Sequence, residues 1–317
     1  MRRRPPCPRV RAPWNGTSDA VVKPPLFDYE APSTVEDAAR LLAEGGEDAK
    51  LLAGGQSLIP LLNLRFAAPS LLIDLNGVDG LGQIRAEDGQ LRLGALVRHS
   101  TVAGDPLVAD RHPLLSEAMG YVAHPQIRNR GTIGGTTAHA DPAAEVPVVL
   151  LMSDARVVAR STRGRREIGV DDLFVSIFTT SLEPDEIISE VIIPDRAVEP
   201  GTAVGSSFQE FARRHGDYAI GGAAAIVHLG PDGVCRSARV GLLGAGMRPE
   251  ESRAAAAVLE SGTFSERAAR EAAAVATTDI SPLGNVHGDP DYRREVIREM
   301  TFRAVMTAAD KAKARIA

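Results

Sequence analysis

The chain has 317 residues, 44% of them hydrophobic and 24% charged, and its 36 basic residues against 41 acidic ones give a formal charge of -5; this argues against a surface built for nucleic acid or anionic lipid. No apolar run approaches the roughly 18 residues that a membrane span requires, so a soluble protein of roughly two or three units is expected. The two cysteines, Cys7 and Cys235, are too few for a disulfide framework, a zinc site or an iron–sulfur cluster held by this chain, the last of which normally needs about four thiolates.

The start is unlike the rest. "MRRRPPCPRVR" holds five arginines and no acid in eleven positions, but no hydrophobic segment follows, so neither a secretory nor a twin-arginine signal is complete. Residues 1–22 read as a disordered extension, with compact structure beginning at "VKPPLFDYEAPST". That boundary raises the expectation that Val21 or Val22, read from a GTG codon, is the initiator.

"STVEDAARLLAEGG" (33–46) predicts a helix, with Ser33 as cap, Glu36 closing a capping box, and Val35, Ala38, Ala39 and Leu42 at helical spacing. "AKLLAGG" is a short buried strand running into a glycine pair. "SLIPLLNLRF" is helical with Pro60 tolerated in its first turn, and "SLLIDL" is a second strand. These make an α/β unit over 23–78. A middle unit over 79–200 opens with the hairpin "GQIRAEDGQLRLGAL" and continues with helix around 101–122 and a second glycine pair in "TIGGTTAHADPAAEVP". The helix "PAAEVPVVLLM", the strand pair "ARVVAR" and "REIGV" across a basic turn, and a half-buried strand "DEIISEVIIP" complete it. Over 206–317, long strand candidates joined by "GPDG" precede a helical region from 249 rich in Ala, Arg and Glu, which reads as a small antiparallel sheet covered by helices.

Glycine pairs let a backbone approach where a Cβ would collide, at a cost in ordering entropy. A strand ending at Gly54-Gly55 and turning into a helix presents unpaired N–H groups, with Gln56 and Ser57 as further donors. The same pair also makes a tight strand-to-helix turn, and alone it does not choose between the two uses. Around the second pair, Thr132, Thr136 and Thr137 supply hydroxyls beside Gly134-Gly135. Neither matches a P-loop or the G-x-G-x-x-G fingerprint, and "GLLGAG" (241–246) has inverted spacing and reads as a strand meeting a turn. His139 and Asp141 of "HAD" suggest a proton relay or metal pair, but two groups beside a glycine loop are better read as scaffolding, as are the other histidines. Ser57 lacks the G-x-S-x-G setting of a nucleophile. The arginines of "RRHGD" and "STRGRR" read as solvated surface, with contact to a partner subunit the other use.

Four stretches in order, "KLLAGGQSLIPLLNLR", "QIRNRGTIGGTTAHADPAAEVPVVLL", "TTSLEPDEIISEVIIP" and "FARRHGDYAIGGAAA", resemble the FAD-binding subunit of the molybdenum hydroxylases. The branch they resemble most is the medium subunit of aerobic carbon monoxide dehydrogenase and its relatives in the xanthine dehydrogenase family. The resemblance implies an α+β protein: a two-part FAD-binding fold of the vanillyl-alcohol oxidase and MurB type, plus a C-terminal flavoprotein domain. It puts Ala53, Gly54, Gly55, Gln56, Ser57 and Leu58, with Thr132, Ile133, Gly134, Gly135 and Thr136, around the diphosphate and ribityl chain of one FAD. Glu145 stands where relatives bear an acid, often aspartate, that hydrogen-bonds FAD; Leu182 would lie against the flavin, Tyr218 would cover the isoalloxazine ring, and Gln209 is a looser candidate. Gln56 occupies the region where some relatives of the wider fold tether flavin through histidine, so FAD is expected to be non-covalent. The resemblance further implies a cytoplasmic oxidoreductase component with no catalytic residue of its own. A large subunit with molybdopterin and a small one with two [2Fe-2S] clusters would be its partners in a dimer of heterotrimers, with electrons leaving FAD for NAD, a quinone or another acceptor. The competing readings are a self-sufficient flavoenzyme of the same wider fold and a non-catalytic assembly module.

Overall fold

The computed structural model describes residues 22–196, 198 and 201–316. The extension read into 1–22 therefore lies, except for Val22, outside the described residues.

The first unit comprises β1 (Asp28–Glu30), α1 (Val35–Gly45), β2 (Ala49–Leu52), α2 (Leu58–Asn63) and β3 (Leu71–Asp74). β3 lies between β1 and β2 in a parallel sheet, as a strand–helix–strand crossover requires. α1 begins one residue later than its sequence suggests. Thr34, not Ser33, is the cap, and its hydroxyl accepts the Asp37 amide at 3.1 Å. The apolar stripe Ala38, Ala39 and Leu42 then packs with Ala49 and Ile73.

In the second unit, β4 (Ile84–Glu87) and β5 (Gln90–Gly94) form the expected hairpin, turning through Asp88 and Gly89 at φ of 50° and 69°. The helical stretch after it is broken into α3 (His99–Gly104), α4 (Pro106–Arg111) and α5 (Pro113–Met119). Each proline starts a new helix, because its missing N–H costs nothing in the first turn but would break a hydrogen bond further in. α6 (Pro125–Arg128), α7 (Ile133–His139) and α8 (Glu145–Met152) follow. Val146–Met152 of α8 are all buried, as a helix apolar on every side must be. Then come β6 (Arg156–Ser161), β7 (Gly164–Gly169), α9 (Val170–Leu173), the short pair β8 (Phe174–Ser176) and β9 (Thr179–Thr180), and β10 (Ile187–Pro194). The main sheet is antiparallel in the order β4-β5-β10-β6-β7. β10 is thus its middle strand and is buried along most of its length rather than on one face.

The third unit has β11 (Ala203–Ala212), β12 (Ala219–Leu229), β13 (Cys235–Leu243) and β14 (Glu250–Glu251), then α10 (Arg253–Glu260), α11 (Glu266–Ala276) and α12 (Pro290–Ile316). The "GLLGAG" stretch ends β13 in a turn, and the brief β14 precedes the helices expected from 249. Every residue of β12 is buried, with the alternation of a strand covered on both sides. Ala224 and Ile226 join the core of the second unit, whereas Ala223, Ala225, Val227 and Leu229 face the helices. α12 lies so close to the sheet that a Cβ at Gly205 would come 1.9 Å from the Ala308 carbonyl oxygen. The seam between units is equally tight: a Cβ at Gly241 would meet Met152 at 2.7 Å, and Lys311 of α12 pairs with Glu117 of α5 at 2.7 Å. Among the described residues, no helix is long and apolar enough to cross a membrane.

Candidate functional site

The two glycine pairs, about eighty residues apart in sequence, lie against each other. A Cβ at Gly54 would fall 2.3 Å from the Arg130 carbonyl oxygen and 2.9 Å from Gly131 Cα, while one at Gly135 would point at Ala53 Cβ, 3.7 Å away. Gly55 has a φ of 74°, the left-handed conformation that turns β2 into α2 and that a side chain would strain. A cleft of about 450 Å³ opens beside this crossing, lined by Gly54, Gly55, Gln56, Ile59, Asn63 and Arg130 among others.

The two segments play different parts. In the first, the Gly55, Gln56 and Ser57 amides donate to no acceptor among the described residues, and the Gln56 side chain folds back to donate to the Gly54 carbonyl at 2.9 Å. In the second, the expected loop is the first turn of α7. Thr132 caps it by accepting the Gly135 amide at 3.1 Å, and the Ile133 and Gly134 amides are already given to the carbonyls of Val97 and Ala95. Gly134 is glycine because a Cβ there would come 2.5 Å from Ala95 Cβ, a packing reason rather than a ligand one. Free backbone donors therefore come from Gly55–Ser57, and the second segment supplies a close wall and the Thr136 hydroxyl. His99, buried under that wall, contacts Thr136 Oγ1 through Nε2 at 3.0 Å; burial pushes its pKa down to about 4 and keeps it neutral.

Five residues absent from the sequence-based set, Tyr29, Asp74, Asn76, Arg98 and Arg130, hold or flank the crossing. Tyr29 donates to Asp74 Oδ2 at 2.5 Å, and Asp74 Oδ1 accepts from the backbone and side-chain nitrogens of Asn76 at 2.9 and 2.5 Å. Asn76 Nδ2 also donates to the Ala53 carbonyl at 2.9 Å, and Asn76 Oδ1 accepts from Arg98 Nη2 at 2.5 Å. Arg98 Nη1 in turn donates to the Arg130 carbonyl. Arg130, which lines the cleft, forms no ion pair within 4 Å among the described residues, although Asp74 is near enough to feel its charge. A basic residue beside "GTIGG" was a legible signal for Arg130; Asn76 and Arg98 carry none, since only the fold brings them together.

The remaining candidates lie toward the C-terminal sheet. Glu145 opens α8, and burial, followed by the charge of Asp141, raises its pKa above the ordinary carboxylate range. Glu210 of β11 is raised by burial and then by Glu145, and its Oε2 has no hydrogen-bond partner among the described residues. Tyr218 is 70% exposed, and its hydroxyl is raised by desolvation and by the charges of Asp141 and Glu145. These residues thus form one electrostatic neighbourhood. Leu182 is half-buried against the core that contains Ile133, and Gln209 donates to Ser207 Oγ at 3.2 Å. The "HAD" residues are structural here: His139 stacks on Phe178 with centroids 4.8 Å apart, and Asp141 Oδ1 accepts the Ala143 amide at 2.9 Å.

Unspent amides at a strand-to-helix turn, a glycine, Gly54, whose Cβ would close the crossing, and a guanidinium with no ion pair among the described residues fit a doubly phosphorylated, elongated cofactor. Comparisons with known proteins give the family. The FAD binding domain in molybdopterin dehydrogenase matches residues 25–196, and the CO dehydrogenase flavoprotein C-terminal domain matches residues 206–308. The chain is 49% identical over 292 residues to the 6-hydroxypseudooxynicotine dehydrogenase complex subunit alpha of Paenarthrobacter nicotinovorans, a match covering 92% of this chain and 97% of that one. Among solved structures, quinoline 2-oxidoreductase from Pseudomonas putida 86 superposes with a TM-score of 0.87 at 36% identity, covering 92% of this chain and 99% of that one. Carbon monoxide dehydrogenase from Hydrogenophaga pseudoflava gives 0.86 at 36% identity, covering 91% and 99%.

Proposed function

The chain belongs to the family of FAD-binding subunits of molybdopterin dehydrogenases, and from that premise we propose that it is the electron-transfer subunit of a molybdopterin, iron–sulfur and flavin hydroxylase. The observation that carries the reading is the contact of Gly54 with Arg130, which brings unspent amides and a free cation to one cleft. FAD, when bound, supplies the exchange between single-electron and paired-electron carriers. The chain's own residues bind and orient it. Gly55, Gln56 and Ser57 donate amides to the diphosphate, Arg130 offsets its charge, and Thr132–Thr136 close over the ribityl side. Glu145 and Leu182 meet the flavin end, and Tyr218 covers the ring. Attachment is non-covalent, since Gln56 offers no nucleophile where a tether would form.

The partners are a large subunit that bears molybdopterin and a small one that bears the [2Fe-2S] clusters, assembled as a dimer of heterotrimers in the cytoplasm. Relatives of the chain are named as a dehydrogenase complex subunit, a hydroxylase medium subunit and a dehydrogenase medium chain, which supports a division of labour among subunits. The deciding experiment is purification of the complex from its native host. One flavin per copy of this chain, reduced by substrate through co-purifying iron and molybdenum, supports the proposal. A chain that stays colourless with added FAD, or that oxidises a substrate with no partner present, refutes it.

A further inference from the structure

We propose that Asn76 and Arg98 are positioning residues that latch the two glycine segments at the separation FAD's diphosphate requires. The inference rests on the FAD reading above and deepens it, because retention of the cofactor would then be set by side chains that stand behind the loops.

The geometry is a continuous relay. It starts at Tyr29 of β1 and passes through Asp74 at the end of β3 to Asn76. Asn76 then divides its amide: Nδ2 holds the Ala53 carbonyl of the first segment, and Oδ1 receives Arg98. Arg98 reaches across to the Arg130 carbonyl of the second segment. That same carbonyl faces Gly54, so the relay grips both sides of the closest approach between the segments.

Charge bears on the latch as well. Arg98 is partly buried, and desolvation, followed by the charge of Arg130, disfavours its charged form while the Asp74 carboxylate favours it. Asn76 Oδ1 and the Arg130 carbonyl are the acceptors that hold its guanidinium in place. The relay is largely solvent-facing, so it adds little to global stability. Its effect falls on the spacing of the loops, where displacements well under 1 Å matter to a multidentate ligand.

The test uses the full-length chain stripped of flavin and titrated with FAD by fluorescence quenching. Asn76→Ala and Arg98→Ala are each expected to weaken FAD binding by about tenfold, the size of one lost charge-assisted hydrogen bond. The double variant should lose little more than either single one, because both break the same relay. Melting temperatures of the flavin-free proteins should stay within about 2 °C of one another. At saturating FAD, the phosphorus resonances of the diphosphate should shift in the variants, a change that a merely structural role would not produce. Wild-type affinity in both single variants, losses that simply multiply in the double variant, or unmoved phosphorus resonances would overturn the latch. If an alanine variant fails to fold, Arg98→Lys keeps the charge but not the fork; it must still bind FAD more weakly, and unchanged binding there also overturns the proposal. A wild-type chain that takes up no FAD instead overturns the cofactor reading itself.

Discussion

The Arg130 carbonyl oxygen lies against Gly54 so closely that a single added methyl carbon would stand 2.3 Å from it. Backbone cannot swing aside as a long side chain can, so Gly54→Ala has to push the two glycine segments apart. Overpacking of this kind costs about 1–3 kcal/mol, and here the strain falls on the cofactor cleft. The expected result is a loss of FAD affinity of at least tenfold in a flavin titration. Gly134→Ala meets Ala95 instead and should lower the melting temperature of the flavin-free chain comparably while costing less FAD affinity; equal losses of affinity in the two variants would contradict this division.

Arg130→Gln keeps a polar side chain on the cleft but removes its free charge. FAD affinity should fall by about tenfold. The remaining binding should also weaken less between low and physiological salt than it does in the wild type, because one screened attraction is gone. An unchanged salt dependence would mean that Arg130 does not face the diphosphate.

Tyr218 is 70% exposed, so Tyr218→Ala should change stability by no more than about 0.5 kcal/mol. If its ring covers the flavin, the variant should instead alter the visible absorption of bound FAD and increase its quenching by added iodide. A flavin spectrum identical to that of the wild type would place the tyrosine elsewhere.

Glu145 and Glu210 titrate above the ordinary carboxylate range because burial disfavours their charged forms and each is close to another acid. Unfolded glutamate ionises near 4.5, so above that pH the folded chain holds protons that the unfolded chain has lost. Stability is therefore fully present below about pH 4.5 and declines as pH rises through the raised folded values. Glu210→Gln removes one of these proton uptakes, being neutral in both states. It should raise the melting temperature at pH 8 by about 2–4 °C and leave it unchanged near pH 4.5, as followed by circular dichroism. Parallel pH profiles for variant and wild type would remove Glu210 from this account.

Much of the fold was legible because local rules agreed with tertiary ones. The turn at Asp88-Gly89, the strand–glycine–helix run into Leu58, and the long strands joined through "GPDG" each follow from short-range chemistry. The misreadings have physical causes. Thr34 and Ser33 are equally good caps by type, and in the fold it is the Thr34 hydroxyl that takes the Asp37 amide. The Gly134-Gly135 segment reads as a loop because glycine is a poor helix former, yet two carbonyls from beyond β5 tie down its amides and build a turn of helix there. β10 alternates imperfectly because both of its faces are covered, Ile187 packing into the core of the first unit and Ile188, Val191 and Ile193 into that of the second. The latch escaped notice because Asn76 and Arg98 belong to different units and become partners only when the first sheet meets the second.

β10 is the last strand of its sheet to be made, yet it lies in the middle, between β5 and β6. Its Ser189 carbonyl takes the Ala95 amide, and the Ala95 carbonyl takes that of Gly134. A nascent chain that has not yet emerged past Ile187 is thus two separate hairpins with no strand in common, and nothing braces the wall against which Gly54 must close. Long-range closures of this kind come late in folding. The cleft therefore cannot close before β10 is in place, although both of its glycine segments precede that strand in the chain.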